Sequence, residues 1–142
     1  MADAPRLITV EEANRVLPLL RPIVRDLLAT YAAWREAVGR FELAQAARPP
    51  VGDLESPEAV AARLEVEAHG VRIDECVEEI RLLGGIFKGL QDGQVDFLSL
   101  RDDRPVFLCW MLGEDCVSHW HDIDGGFCGR QPIDSHLFSE TT

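Results

Sequence analysis

The chain has 142 residues, 46% hydrophobic and 27% charged, which is the balance of one globular domain and excludes a disordered, collagen-like or low-complexity chain. Lys plus Arg total 14 against 25 for Asp plus Glu, a net charge of −11 with no segregated basic face, so nucleic acid is not expected as a partner. No basic-then-apolar leader opens the sequence and no apolar run approaches the roughly 20 residues that span a bilayer, so no membrane partner is expected and the cytoplasm is the expected location.

Thr9 with Glu12 makes a capping box, and Glu11 adds favourable charge to the first turn of a helix starting at Val10. Apolar residues then recur in steps of three and four at Val10, Ala13, Leu17, Leu20, Val24, Leu27, Tyr31, Trp34, Val38 and Phe41. Pro18 and Pro22 interrupt the donors of this helix, so a bend or a later start is expected near them. Helix 1 is placed over residues 9–47. Arg48-Pro49-Pro50-Val51-Gly52-Asp53 breaks it.

Ser56 caps a second helix, placed over 56–83, with Pro57 at its first position and Gly84-Gly85 as its stop. Its seam reads Ala59, Ala62, Val66, His69, Ile73, Cys76, Ile80, Leu83. Two long helices joined by a short loop predict an antiparallel hairpin with His69 opposite Tyr31 and Trp34. Val16, Leu19, Ile23 and Leu28 lie beside the first seam and need further cover, from the C-terminal half, a second copy or both. A homodimer is therefore expected.

After Gly85 the pattern changes to strand, turn, strand: 95–100, the turn Arg101-Asp102-Asp103-Arg104, and a two-faced apolar run at 106–112 that reads as a central strand. A second turn at Gly113-Glu114-Asp115 leads into a third strand at 116–121. The fold class is α+β, a long antiparallel helical hairpin packed with a small antiparallel β-meander, in a single domain over 1–142. The meander and a glycine-rich loop fill 86–133, and 134–142 reads as a frayed tail.

The densest chemistry is Ser118-His119-Trp120-His121-Asp122-Ile123-Asp124-Gly125-Gly126-Phe127-Cys128-Gly129-Arg130. On a strand, His119 and His121 share a face, a spacing suited to a divalent transition metal such as zinc or iron, with Asp122 or Asp124 adding a carboxylate. His69 would join only if the hairpin brought it near His121. The glycines let backbone N–H groups converge on a small anion that Arg130 could clamp. The plain alternative has Arg130 paired with a local carboxylate and one histidine in a structural hydrogen bond. The four cysteines, Cys76, Cys109, Cys116 and Cys128, form no C-x-x-C pair and are expected as free thiols. Cys76 and Cys109 read as small apolar core residues. No nucleophile elbow, phosphate loop, zinc-protease helix or dinucleotide fingerprint is present, so no reaction is indicated.

Thr9-Val10-Glu11-Glu12-Ala13-Asn14-Arg15-Val16-Leu17-Pro18-Leu19-Leu20, Gly93-Gln94-Val95-Asp96-Phe97, Val106-Phe107-Leu108-Cys109-Trp110 with Gly113-Glu114, and Trp120-His121-Asp122 with 126–133 together resemble a family of small bacterial proteins of the DUF2203 type. The resemblance covers nearly the whole chain and implies no established activity. It puts weight on Trp120, His121, Gly126, Phe127, Gly129 and Arg130, and takes weight from His119 and Cys128. Two functions follow: metal or small-anion binding through the C-terminal His/Asp/Gly/Arg motif, with Arg130, Gly126, Gly129 and Trp120 as ligand-binding candidates and His121, Asp122, Asp124, His119 and His69 as metal candidates, or a non-enzymatic helical-hairpin module for dimerisation or protein interaction.

Overall fold

A computed structural model gives the structure of residues 6–47 and 55–134. The proline-rich break at 48–53 and the tail from 135 onward lie outside the described residues. Helix α1 spans Val10–Ala46, and its start is the capping box: Thr9 Oγ1 accepts from the Glu12 N–H at 3.1 Å while Glu12 Oε1 accepts from the Thr9 N–H at 2.9 Å. That bond from the Thr9 backbone holds the Glu12 carboxyl below its ordinary value. The helix runs without interruption through Pro18 and Pro22. Both rings face solvent, where water can take the carbonyls that lose a donor.

Helix α2 spans Pro57–Leu82, with Ser56 Oγ accepting from the Ala59 N–H at 3.1 Å. Ala37 of α1 and Ala59 and Ala62 of α2 are fully or almost fully buried toward the far end of the hairpin. Nearer the sheet, Arg72 of α2 binds the Asp26 carboxylate of α1, with Nε 2.8 Å from Oδ2. Neither helix is long and apolar enough to cross a membrane.

The meander has five strands, β1 (Ile86–Phe87), β2 (Gln94–Arg101), β3 (Arg104–Met111), β4 (His119–Asp122) and β5 (Gln131–Pro132), each antiparallel to the next and in sequence order. Two-residue strands such as β1 and β5 are too short to show alternation, and the sequence reading missed both. Asp102 and Asp103 close the β2–β3 hairpin with φ of 52° and 62°, the left-handed pair that a two-residue turn demands. Ahead of α1, the Ile8 N–H donates to the Leu98 carbonyl at 2.7 Å and lays the N-terminal segment along β2.

Strand alternation divides the sheet into two faces. Val95, Phe97, Val106, Leu108, Trp110 and Trp120 face the hairpin and share one core with Leu17, Leu20, Val24 and Leu27 of α1 and Cys76 and Ile80 of α2. Val16, Ile23 and Leu28, the residues that needed further cover, pack against this core, whereas Leu19 stays exposed. The sheet approaches α1 so closely that a Cβ on Gly93, at φ 69°, would lie 2.9 Å from Val24 Cγ1. The opposite face carries Gln94, Asp96, Leu98, Phe107, Cys109, Met111, His119 and His121.

Candidate metal centre

The outer face of a two-layer domain is ordinarily polar and wet, yet Asp96, Cys109 and His121 are 1%, 0% and 2% exposed. The C-terminal loop returns to this part of the sheet at two points. In a turn after β4 the Gly125 N–H returns to the Asp122 carbonyl at 2.9 Å, so that a Cβ on Gly125 would lie 3.7 Å from the His121 Cβ. From the end of the same loop, Arg130 Nη2 donates to the Cys109 carbonyl at 3.2 Å and to Glu114 Oε1 at 2.7 Å.

The three buried residues come from three adjacent strands. Asp96 pairs in register with Cys109, and His121 reaches toward them from β4. His121 Nε2 is 3.0 Å from Asp96 Oδ2, and its Nδ1 is 2.7 Å from the Asp122 carbonyl oxygen. A carbonyl oxygen can only accept, so Nδ1 carries a hydrogen and Nε2 is the atom turned to the carboxylate. Gln94 Nε2 donates to Asp96 Oδ1 at 3.1 Å and fixes the carboxylate from its other side. Burial first, and the nearby Asp96 carboxylate second, push the Cys109 thiol up to about 12.

This arrangement does not suit nucleophilic catalysis. The Cys109 thiol stays protonated at neutral pH, and both nitrogens of His121 already have partners. It does suit a metal. Among the described residues, Asp96, Cys109 and His121 are the one group of three metal-ligating side chains whose donor atoms all lie within 4.8 Å of one another. Donors around a tetrahedral zinc with bonds of about 2.0–2.3 Å stand roughly 3.3–3.7 Å apart, so a contraction of about 1 Å would close the set. Sulfur, imidazole nitrogen and carboxylate oxygen are the donors zinc prefers, and the Nδ1–H bond to a backbone carbonyl is the outer contact that orients a ligating histidine.

The other sequence-derived candidates lie outside this group of three. His119 shares the face of His121, but its Nδ1 is 2.9 Å from Ser118 Oγ and 3.9 Å from Glu114 Oε2. Asp122 is exposed and pairs with Arg104 at 3.1 Å. Asp124 is exposed on the turn that follows. His69 lies on α2, beside Gly70, whose Cβ would sit 3.9 Å from Trp34 Nε1. The hairpin packs on the inner face of the sheet, whereas His121 is carried on the outer one.

Trp120 is a core residue of the inner face, with the Arg101 guanidinium 4.5 Å above its ring. Gly126 adopts φ 62°, which favours glycine, and the Gly129 N–H closes on its carbonyl at 3.0 Å. Arg130 is engaged by Glu114: burial, the largest single influence, opposes its charge, but the Glu114 hydrogen bond together with contributions from Cys109 and the Glu114 charge more than offsets it and keeps the guanidinium above its ordinary value. Glu114 in turn accepts from the Met111 N–H at 2.8 Å, and its carbonyl accepts from Trp110 Nε1 at 2.9 Å. The sequence reading did not assign Asp96 and Cys109 to the centre. A carboxylate within a strand buried on both faces was the available signal for the first, since such a group needs a partner.

A family model described as "Uncharacterized conserved protein (DUF2203)" matches residues 6–133, and the chain belongs to that family. No curated protein and no solved structure matches it.

Proposed function

We propose that the protein binds a divalent transition metal, zinc for preference, through Asp96, Cys109 and His121, beneath the C-terminal loop. One observation carries the reading: three donors of zinc-binding type, on three neighbouring strands, are buried together with their ligand atoms within 4.8 Å. One thiolate, one imidazole and one carboxylate favour zinc over iron, because non-haem iron centres of the facial type use two imidazoles and a carboxylate. Binding would clamp β2, β3 and β4 and couple metal affinity to stability. His121, Gly126 and Arg130 of the C-terminal motif then serve one purpose, a ligand and the loop that buries it.

The test is zinc titration of tag-free protein, stripped with chelator, against a chromophoric competitor. One zinc per chain is expected, with a rise in melting temperature, and both are lost in Cys109→Ser and His121→Ala. Stripped wild-type protein that takes up no stoichiometric zinc would overturn the reading, as would uptake undiminished in both variants.

A further inference from the structure

We propose that His119 is the fourth ligand, so that the centre is a closed clip across three strands with no position open to substrate. The inference rests on the metal reading of Asp96, Cys109 and His121 given above.

Strand register places His119 for this role. Asp96, Cys109 and His119 form one row across β2, β3 and β4, Cys109 being paired with Asp96 on one side and with His119 on the other. Side chains directly opposite on one face of an antiparallel pair have Cβ atoms about 4.5–5.5 Å apart, within reach of an imidazole. His119 thus flanks the thiol from β4 as Asp96 flanks it from β2, and His121 lies two residues further along the same face.

Each of the two rings has a partner at Nδ1. His121 commits Nδ1 to the Asp122 carbonyl and turns Nε2 inward. His119 Nδ1 lies 2.9 Å from Ser118 Oγ, with Glu114 Oε2 at 3.9 Å behind it; the hydroxyl can donate or accept, and in the tautomer whose Nδ1–H donates to it Nε2 is left as the donor to a metal. Glu114 is itself anchored by Arg130 and the Met111 N–H. An imidazole held at one nitrogen by a hydroxyl or an anchored carboxylate and offering the other is the usual second-sphere pattern of a zinc ligand. The His119 side chain is also one-third exposed, which leaves it room to swing onto a metal bound by the buried three. Neighbouring polar groups have other partners: the Gln94 amide on Asp96, Asp122 on Arg104. Four protein ligands define a structural site, whereas a hydrolytic one keeps a position for water.

The experiment uses cobalt(II) as a spectroscopic substitute for zinc in the full chain. Wild-type protein should give a thiolate-to-metal charge-transfer band together with the intense visible bands of four-coordinate cobalt. His119→Ala and His119→Gln should keep the charge-transfer band but lose visible intensity as water enters and coordination expands. Their affinity should fall further than the roughly 10–100-fold typical of an outer-sphere partner, and melting of the stripped variants should match wild type. Wild-type spectra and affinity in both variants would overturn the assignment of His119 while leaving the three-ligand reading intact. Absence of any charge-transfer band in wild type would overturn that reading itself.

Discussion

Replacing His121 by alanine tests whether the buried cluster is an energetic unit. His121 and Asp96 are almost inaccessible, and the substitution removes the Nε2 contact of 3.0 Å to Asp96 and the Nδ1 contact of 2.7 Å to Asp122. Gln94 stays hydrogen-bonded to the carboxylate, but the imidazole's own contact to Asp96 is lost. Breaking a buried pair from one side costs about 3–5 kcal/mol. At roughly 0.05–0.15 kcal/mol per residue, 142 residues give a total of about 7–21 kcal/mol, so the variant should still fold. Its melting temperature should drop by about 6–20 °C, at roughly 2–4 °C per kcal/mol. Asp96→Ala, alone and combined with His121→Ala, completes the cycle, and the double variant should recover about 2–3 kcal/mol relative to the sum of the singles. Urea unfolding in the presence of chelator measures all four proteins. A cost below about 1 kcal/mol for His121→Ala, with an additive cycle, would refute the reasoning.

Further expectations follow from the same geometry. Of the four thiols, exposed Cys116 and Cys128 should react at once with a disulfide reagent at mild alkaline pH, while Cys76 and Cys109 should react only after denaturation. The Cys109 thiol ionises near 9.0 when unfolded but only at about 12 in the fold, so its stabilising contribution is complete below pH 9 and is lost as pH rises toward 12. In chelator-stripped protein, stability should therefore fall over that window by about 1.4 kcal/mol per pH unit more in wild type than in Cys109→Ser, as read by chemical denaturation. Gly93→Ala should cost more than about 1 kcal/mol in the same assay, because φ of 69° and a Cβ 2.9 Å from Val24 Cγ1 are both unfavourable. Zinc uptake should release the proton of the Cys109 thiol, measurable by calorimetry in buffers of different ionisation enthalpy, and that release should be lost in Cys109→Ser.

The sequence made the helical hairpin legible because its signals are local. The Thr9–Glu12 box, Ser56 ahead of Pro57, and Gly84 each set an end within one or two residues of where it is found. The long strands were legible by their apolar content, although the third was drawn from 116 and β4 starts at His119. The centre was legible only in part. His121 stands out in its motif, but its partners Asp96 and Cys109 are 25 and 12 positions away, and only sheet register joins them. Cys109 in an apolar run looks like a packing residue until the carboxylate beside it is seen. Arg130 shows the reverse. Its glycine-rich surroundings left open an anion or a neighbouring carboxylate, and the fold supplies the carboxylate of Glu114, ahead of β4.

X-ray absorption at the zinc edge of loaded, tag-free protein tests the central claim most directly. The expected spectrum contains one sulfur at about 2.3 Å with nitrogen and oxygen at about 2.0–2.2 Å, the sulfur shell vanishing in Cys109→Ser. A shell of nitrogen and oxygen alone in the wild-type protein would place the metal elsewhere and contradict the account.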